Sequence, residues 1–557
     1  MLLLSSHCSA MKTKDTKYIF VTGGVVSSLG KGIIASSLGR LLISRGLKCT
    51  IQKFDPYINI DPGTLNPYEH GECFVTDDGY EADLDLGHYE RFLDIKTSRN
   101  SNVTTGRVYQ NVIQRERRGD FLGKTVQVVP HITDEIKRCV KRLSKDDDYD
   151  IIITEIGGTV GDIESLPFLE AVRQLKWELG DDNCMVIHLT YVPYLHAAKE
   201  LKTKPTQHSV KSLQEEGIQP DMLVLRSEMR LEDDLLRKVA LFCNVPKDAV
   251  IQSYDCPSIY RVPLLLQEQK MDEAVLRQLK LPVGPAPELK EWRHYLELGE
   301  EAKKKEPVKI GLVGKYVSLQ DAYKSIDEAI QQSGVYNGRL VDLVRISSER
   351  ITDENVAELL APCDAVVIAP GFGSRGIPGK LTAIRYCREH DLPTLGICLG
   401  MQCICIEIAR DMLGLEQANS TEFDSQTPDP VIDLMEEQKE VTMLGGTMRL
   451  GGYDCELTKG SKVAQIYGTE TIRERHRHRY EFNSKYEQAF EEAGVLIAGR
   501  NPETGLVEVV ELPDKQWFIG VQYHPEYSST LQHTHPLFMS LVEAALRHKA
   551  AREGETK

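Results

Sequence analysis

Apolar runs alternate with helical stretches along most of the chain, and this alternation predicts the fold. Runs rich in Val and Ile in the first half lie at residues 18–24, 48–54, 149–158 and 184–192. A second series lies at residues 308–316, 364–373, 392–400 and 517–526. Near-continuous apolar runs that end close to Gly are typical of parallel strands buried on both faces of a sheet. The pattern predicts an α/β protein with two doubly wound, mainly parallel-sheet domains joined by a linker.

The composition changes between the two series and suggests domain boundaries. Three prolines lie within residues 282–287, and a charged segment with a helical pattern follows them. We therefore expect five parts, which are a disordered leader (1–16), a first domain (17–281), a linker (282–307), a second domain (308–546) and a charged tail (547–557). The polar stretch 424–440 is expected to form a mobile surface loop.

Charge and composition exclude several classes of protein. Lys and Arg number 67 against 83 Asp and Glu, a net charge of -16, so a general basic surface for nucleic acid is not expected. No apolar run reaches the length of a membrane-spanning helix, and the N-terminus resembles neither a secretory signal nor a transit peptide, which predicts a cytoplasmic protein. The 13 cysteines include no C-x-x-C pair; reduced thiols are the preferred interpretation, with a zinc site as the alternative.

The first predicted strand leads into the glycine-rich segment GGVVSSLGKG, residues 23–32, and then into a predicted helix. Glycines let backbone N–H groups turn toward a phosphate, the helix N-terminus adds a favourable dipole, and Lys31 adds charge. The segment resembles a Walker A loop with two departures. Five residues rather than four separate Gly24 from Gly30, and Gly32 replaces the usual Ser or Thr that binds magnesium. The sequence therefore predicts nucleotide binding with a metal held by other oxygens.

Asp85 and Glu155 are the candidates for those oxygens, since magnesium prefers one or two carboxylates together with phosphate oxygens. The alternative is that Asp85 is a solvated acid and Glu155 a cap at a strand end. Lys202 and Lys204 lie two positions apart before a proline, and in an extended segment both would point the same way, toward a polyphosphate. A solvated basic loop is the alternative there. The basic run 473–479 has no interleaved aromatics for stacking on nucleic acid.

The second half contains a candidate thiol nucleophile. Cys398 lies between Gly396 and Gly400, after a predicted strand and before a predicted helix, which is the thiol form of a nucleophile elbow. Far downstream another strand ends at His524, with Glu526 two positions on. Cys, His and Glu together supply a nucleophile, a base and a group that orients the base. The turn PGFG at residues 370–373 could supply an oxyanion donor.

These motifs resemble a known family. The second half is similar to class I glutamine amidotransferase domains through PGFG, GICLGMQ and HPE. The first half is similar to the amidoligase domain of the CTP synthase family through YIFVTGGVVSSLGKG, KFDPYINIDPGT, DLDLGHYERF, EIGGTVGDIES and KTKPTQHS. The resemblance covers roughly residues 17–546. It implies that ATP phosphorylates O4 of UTP and that ammonia released from glutamine then displaces the phosphate to give CTP.

The resemblance also implies roles for residues of the first half. Lys31 and Lys53 would stabilise the transferred charge, and Asp85 and Glu155 would bind Mg²⁺. The ATP contacts would be Ser28, Leu29, Gly30, Lys31, Gly32, Asp85, Arg226 and Asp255. The contacts to UTP, or to CTP as feedback inhibitor, would be Ser27, Gln127, Asp162, Glu164, Lys202, Lys204, Gln207 and Lys238. His70 matches a position near the mouth of an ammonia channel.

For the second half the resemblance implies that Cys398 attacks glutamine, His524 exchanges protons and Glu526 orients the imidazole. The glutamine and oxyanion contacts would be Gly371, Gly373, Leu399, Gln402, Glu422 and Arg479. GTP, an activator in this family, would lie near Lys324, Glu328, Arg375 and Arg449. Family members assemble as homotetramers and some form filaments, so filament formation is left open here.

Two other functions remain open from sequence alone. One is a different glutamine-dependent amidating synthetase, such as those acting on corrin carboxylates, although GTVGDIES and KTKPTQH argue against it. The other is an inactive homologue that forms nucleotide-responsive filaments, although Lys31, Cys398, His524 and Glu526 are all present.

Overall fold

The computed structural model describes residues 16–435 and 447–555, so most of the predicted leader lies outside the described residues. The chain divides into two compact units. Unit 1 comprises the residues up to Ile60 together with Asn100–Glu288, and unit 2 comprises Asp61–Arg99 together with the residues from Leu289 onward. A segment from the first half of the sequence is therefore part of the unit that carries Cys398.

The strands follow in chain order: β1 (Lys17–Gly23), β2 (Cys49–Asp55), β3 (Phe74–Val75), β4 (Glu81–Ala82), β5 (Asn102–Thr104), β6 (Ile151–Ile156), β7 (Cys184–Tyr191), β8 (Tyr194–Leu195), β9 (Glu200–Leu201), β10 (Met222–Ser227), β11 (Val250–Tyr254), β12 (Val308–Gly314), β13 (Val341–Ser347), β14 (Ala365–Ile368), β15 (Thr394–Ile397), β16 (Asn419–Ser420), β17 (Pro430–Leu434), β18 (Arg449–Leu457), β19 (Thr471–His478), β20 (Tyr480–Phe482), β21 (Leu496–Arg500), β22 (Val507–Glu511) and β23 (Phe518–Val521).

The α-helices in the same order are α1 (Lys31–Ser44), α2 (Pro67–His70), α3 (Asp85–Leu93), α4 (Thr105–Arg117), α5 (Thr133–Val140), α6 (Leu143–Asp146), α7 (Leu166–Leu179), α8 (Lys204–Glu215), α9 (Asp233–Cys243), α10 (Val262–Glu268), α11 (Met271–Gln278), α12 (Lys290–Ala302), α13 (Lys324–Tyr336), α14 (Val356–Leu360), α15 (Ile377–Glu389), α16 (Leu399–Asp411), α17 (Lys462–Tyr467), α18 (Glu487–Glu492) and α19 (Pro536–Glu555).

Unit 1 is built on a parallel sheet with the strand order β11-β10-β7-β1-β6-β2-β5. Its inner strands are buried along nearly their whole length, as the apolar runs predicted. The carboxyl ends of β1, β2 and β6 lie side by side, because β6 pairs with both of the other two strands. This arrangement places the glycine-rich segment, Lys53 and Glu155 at one edge of the sheet, and the predicted doubly wound fold is confirmed.

Unit 2 is built on a larger mixed sheet with the order β13-β12-β14-β15-β23-β22-β21-β18-β19. The first five strands in this order are parallel to one another. Each apolar run that was predicted in the second half contains one of these five strands. The remaining four pair antiparallel. β15 and β23 are neighbours, so the strands that precede Cys398 and His524 finish at the same edge of the sheet.

The expected mobile loop at 424–440 is wrong in part. Residues 430–434 form β17, which pairs antiparallel with β20, because Val431 and Ile432 are buried in the core. The last five residues of that stretch lie outside the described residues.

The charged segment after the prolines does form a helix, α12, and it buries Trp292 against Phe92 in unit 2. Helix α19 continues to Glu555, so it includes most of the predicted charged tail, where Arg552 pairs with Asp364 at 2.7 Å. Over residues 16–435 and 447–555, no helix combines the length and apolar character that crossing a membrane requires.

Candidate active sites

Cys398 occupies a strained position between β15 and α16. Its backbone angles are φ 51° and ψ −106°, a region that costs a non-glycine residue free energy and is found mainly at functional sites. The Cys398 N–H donates to Val521 O at 2.7 Å, and the Gln522 side-chain amide lies 3.5 Å from Sγ. The turn places the thiol at the N-terminal end of α16.

The two glycines of this turn are required by close packing. A Cβ on Gly400 would lie 2.1 Å from the backbone oxygen of Ile368, and one on Gly396 would lie 2.8 Å from the carbonyl carbon of Gly400. Backbone atoms cannot move aside as the end of a flexible side chain can, so any larger residue here displaces the nucleophile.

Gly400→Ala is therefore expected to lower the free energy of unfolding by about 1–3 kcal/mol, the usual cost of overpacking a core. Thermal unfolding followed by circular dichroism would show the loss as a lower Tm. Gly299→Ala is the matched control, because Gly299 lies in α12 with open space around its Cβ position and should gain slightly from the change. Equal Tm values for the two variants would contradict the packing argument.

His524 and Glu526 form a buried pair beside the thiol. The Nδ1–H of His524 donates to Glu526 Oε1 at 2.7 Å, and the imidazole stacks on the Tyr527 ring at 5.0 Å. Burial lowers the pKa of His524, but the charges of Glu526 and Cys398 outweigh it and raise the pKa to about 10. The imidazole is therefore protonated at neutral pH, and among the described residues its Nε2 has no hydrogen-bond partner. This pair can stabilise a thiolate and deliver a proton.

A cavity of 560 Å³ in unit 2 contains all three groups, Cys398, His524 and Glu526. Residues 63–68, together with Glu72 and Cys73, line it from the segment Asp61–Arg99. Glu72 accepts hydrogen bonds from the Ser325 N–H at 2.9 and 3.0 Å. Burial raises the pKa of Glu72 to about 7, although Arg91 and Ser325 act in the opposite direction.

The turn at residues 370–373 lies on the same cavity. Its Gly371 and Phe372 line the cavity with Cys398, and the N–H of Gly373 donates to Glu422 Oε1 at 2.6 Å. Burial raises the pKa of Glu422. Gly373 and Glu422, which were both predicted among the glutamine and oxyanion contacts, are therefore hydrogen-bonded to each other in this structure.

The other predicted glutamine contacts lie on α16 and between β19 and β20. Leu399 is the first residue of α16. Gln402 donates to Tyr480 O at 2.8 Å and to the side chain of Gln522 at 3.1 Å, and Arg479 donates to Thr447 at 2.9 Å.

The four residues predicted to be linked to GTP do not share one environment. Lys324 and Glu328 pair at 2.8 Å on α13. Arg375 lines the cavity, with its guanidinium 5.3 Å from the Tyr316 ring centre. Arg449 is buried at the start of β18 and pairs with Glu508 at 2.6 Å.

In unit 1 the glycine-rich segment forms the expected strand, loop and helix. Lys31 opens α1, preceded by Gly30 at φ 88°, and Ser28 also has a positive φ of 59°. The Lys31 ammonium donates to Gly158 O at 2.8 Å, and burial lowers its pKa. A Cβ on Gly24 would lie 1.7 Å from the Ser209 oxygen, so this position has no space for a side chain. Ser27, Leu29 and Gly32 belong to the same loop and first helical turn.

The metal candidates fall in different units. Glu155 is the buried, next-to-last residue of β6, with the Lys53 ammonium 3.9 Å from one of its oxygens and 3.7 Å from Asp55. Asp85 is the first residue of α3 in unit 2. Within residues 16–435 and 447–555, no three His, Cys, Asp or Glu side chains are placed to hold a metal by themselves. Hard carboxylate oxygens suit magnesium, provided that phosphate oxygens complete its coordination.

The extended conformation expected for Lys202 and Lys204 is wrong. Lys204 is the first residue of α8, because Pro205 favours the first turn of a helix, and Lys202 pairs with Glu200 at 2.5 Å. The prediction that these two side chains point the same way along an extended segment is therefore wrong, although the lysines remain two positions apart in the sequence. Gln207 donates to Thr203 at 3.1 Å within the same helix start.

The remaining predicted nucleotide contacts of unit 1 lie on several elements. Arg226 pairs with Asp255 at the ends of β10 and β11. Asp162 accepts a hydrogen bond from the Thr159 N–H at 2.7 Å. Glu164 lies on a short 3-10 helix, Gln127 lies before α5, and Lys238 lies on α9. His70 ends α2 in unit 2.

Sequence reasoning missed several groups around the thiol. Arg477 pairs with Glu81 at 2.9 Å, its guanidinium lies 4.9 Å from the Phe372 ring centre, and its carbonyl oxygen is 3.7 Å from Cys398 Sγ. Gln522 could have been suspected from its position two residues before His524. Glu72 carried no signal, because only the fold brings its segment into unit 2.

Comparison with known proteins covers both halves of the chain. A family model described as CTP synthase N-terminus matches residues 17–281, and one described as glutamine amidotransferase class-I matches residues 318–544. A CTP synthase of Porphyromonas gingivalis is 66% identical over 533 residues, 96% of this chain and 98% of that protein. One of Bacteroides thetaiotaomicron is 64% identical over 535 residues, 96% and 99% of the two chains. The solved glutaminase domain of Trypanosoma brucei CTPS with bound acivicin is 33% identical, covers 43% of this chain and 94% of that one, and has a TM-score of 0.41.

Proposed function

The chain belongs to the CTP synthase family, and we propose that it makes CTP from UTP with glutamine as nitrogen donor and ATP as energy source. The observation that carries this function is the cavity in unit 2 that holds Cys398, His524 and Glu526 together. The glycine-rich loop with a buried lysine in unit 1 supports the ATP-dependent half of the reaction.

Glutamine hydrolysis begins with attack of the Cys398 thiolate on the side-chain amide carbon. The His524 imidazolium gives its proton to the amide nitrogen, so ammonia leaves and a thioester to Cys398 remains. His524 then takes a proton from water, the resulting hydroxide attacks the thioester, and glutamate leaves as the thiolate is regenerated. Glu526 holds the imidazole through Nδ1 and favours its charged form. Glu422, Gln402 and Arg479 bind the glutamine.

Amination follows phosphorylation of O4 of UTP by ATP. Lys31 and Lys53 offset the charge on the transferred phosphoryl group, which needs positioning and electrostatic stabilisation rather than a covalent protein intermediate. Glu155, beside Lys53, would hold Mg²⁺, which when bound neutralises phosphate charge. Ammonia then attacks C4, phosphate leaves, and loss of a proton gives CTP.

Regulation and assembly follow the family pattern in this proposal. GTP activates glutamine hydrolysis through Lys324, Glu328, Arg375 and Arg449, and CTP inhibits at Asp162 and Glu164. The chain acts as a cytoplasmic homotetramer.

The direct test follows CTP formation from UTP, ATP and Mg²⁺ in two parallel reactions, one with glutamine plus GTP and one with ammonium. We expect product in both. Product with ammonium alone would place the error in the glutaminase assignment. Product in neither would refute the proposed function.

Glu526→Gln tests the electrostatic role of that carboxylate. Removing its charge lowers the pKa of His524 from about 10, so the proton donor is lost at a lower pH than in the wild type. The alkaline limb of glutamine hydrolysis should therefore move toward neutral pH, which initial rates from pH 6 to 10.5 would measure. Glu526→Asp keeps the charge and is the control. An alkaline limb that stays in place in Glu526→Gln would rule out this role.

A further inference from the structure

Lys315 is a buried lysine that the proposed mechanism does not use. It follows β12 directly, and only 1% of the residue is exposed. Its ammonium donates to the Phe372 carbonyl at 2.7 Å and also to the Gly373 carbonyl. Both acceptors belong to the 370–373 turn. A buried ammonium is costly unless its donors are satisfied, so these two bonds fix the lysine and the turn to each other.

The bond to Phe372 also sets the direction of the next N–H. In a trans peptide the C=O and N–H groups point in opposite directions, and the bond between Phe372 and Gly373 is trans. Because Lys315 binds the carbonyl on one side, the Gly373 N–H points to the other side, where it donates to Glu422 Oε1 at 2.6 Å. One peptide unit therefore links the Lys315 ammonium to the Glu422 carboxylate.

Lys380 provides a natural comparison. It too is fully buried, and its ammonium donates to the carbonyl of Ala369, just before the same turn. The residue after Ala369 is Pro370, which has no N–H, so this lysine directs no backbone donor. Both lysines therefore anchor the turn, but they differ in what the anchored peptide can do.

We propose that Lys315 is a positioning residue for glutamine binding, which fixes the Phe372–Gly373 peptide and through it the orientation of Glu422. The inference rests on the proposed function, in which Glu422 binds glutamine. Without the lysine this peptide can rotate, because glycine at 373 offers little resistance. Glu422 then loses the N–H that holds it, and glutamine binds more weakly. Because the Gly373 N–H donates to Glu422 in this structure rather than to an oxyanion, the thiol chemistry at Cys398 stays intact.

The proposal carries a pH signature. Burial, reinforced by the Lys380 ammonium, lowers the pKa of Lys315 to about 8. Arg375 acts in the same direction as Lys380, while Cys403 and Glu422 favour the charged form. Near pH 8 the ammonium becomes an amine with weaker donors, so the KM for glutamine should rise with pH as the turn loosens.

Lys315→Met tests this with steady-state glutamine hydrolysis between pH 6.5 and 8.8, where KM and kcat are determined separately. We expect the KM of the variant to be at least about tenfold higher at pH 7, with kcat within about threefold of wild type. The wild-type KM should rise toward that of the variant as the pH increases. Lys380→Met should change KM less than about threefold. A wild-type KM in Lys315→Met, or the same change in both variants, would overturn the proposal.

The controls separate this inference from the proposed function. If the wild type makes no CTP from glutamine and hydrolyses none, the proposed function has failed, whereas a variant with unchanged KM in an otherwise active enzyme refutes only the role of Lys315. CTP formation from ammonium reports whether the variant is folded. If Lys315→Met loses that activity, Lys315→Arg replaces it, since arginine stays charged at every pH used. Its KM should then remain flat while that of the wild type rises, and equal slopes would refute the proposal.

Discussion

Cys398→Ala is expected to reduce glutamine-driven CTP formation by at least about 10³-fold, a loss typical of removing a catalytic nucleophile. CTP formation from ammonium should persist, because the substitution removes one sulfur atom and leaves unit 1 unchanged. Alanine at φ 51° is strained much as cysteine is, so the turn itself should be preserved. Initial rates with each nitrogen source would measure the split.

Cys405→Ala is the matched control for this variant. Cys405 lies in the same helix, α16, and is fully buried, but burial raises the pKa of its thiol far above the neutral range. It should therefore lose packing free energy and retain both activities. If Cys398→Ala lost both activities while its fold was intact, the assignment of the two half-reactions to separate sites would be wrong.

Lys31→Ala should reduce CTP formation from both nitrogen sources, by about 10²–10³-fold, the usual cost of deleting one preorganised charged donor. The Lys31 ammonium lies at the start of α1 and donates to Gly158, so its loss removes positive charge from the glycine-rich loop. Because phosphorylation of UTP precedes amination, supplying ammonium cannot compensate. ADP release in the presence of UTP would report the missing step.

Lys48→Ala serves as the comparison for Lys31→Ala, since Lys48 is exposed and forms a surface ion pair with Asp147 at 2.5 Å. Its rates should stay near those of the wild type. Normal ammonium-driven turnover in Lys31→Ala would refute the phosphate-loop assignment.

Prediction from the sequence was most accurate where one local pattern of residues determines the structure. The apolar runs predicted four parallel strands in each sheet, which are β1, β2, β6 and β7 in unit 1 and β12, β14, β15 and β23 in unit 2. The Gly-x-Cys-x-Gly spacing predicted the turn at Cys398. Prediction was wrong where the conformation suggested by a short segment competed with packing against distant parts of the chain. Residues 430–434 lie within a stretch that was interpreted as a polar loop, yet Val431 and Ile432 belong to a strand that pairs into a sheet. Helix α8 begins at Lys204, where two lysines had suggested an extended segment.

Contacts between distant segments were beyond the sequence patterns altogether. The hydrogen bond from Gly373 to Glu422 and the burial of Lys315 under the turn depend on which loops meet, and no periodicity encodes that. The same is true of Glu72, whose position beside the thiol cavity follows from the path of its segment.

The path of Asp61–Arg99 limits how the chain can be cut for experiments. A fragment that begins after the prolines would lack Glu90 and Glu81, leaving Arg475 and Arg477 without the carboxylates they bind at 2.7 and 2.9 Å. It would also lack the residues that cover one side of the Cys398 cavity. Rate constants and inhibitor affinities measured on such a truncated glutaminase would therefore describe a site open to bulk water, and full-length protein is the proper material for screening compounds against this thiol.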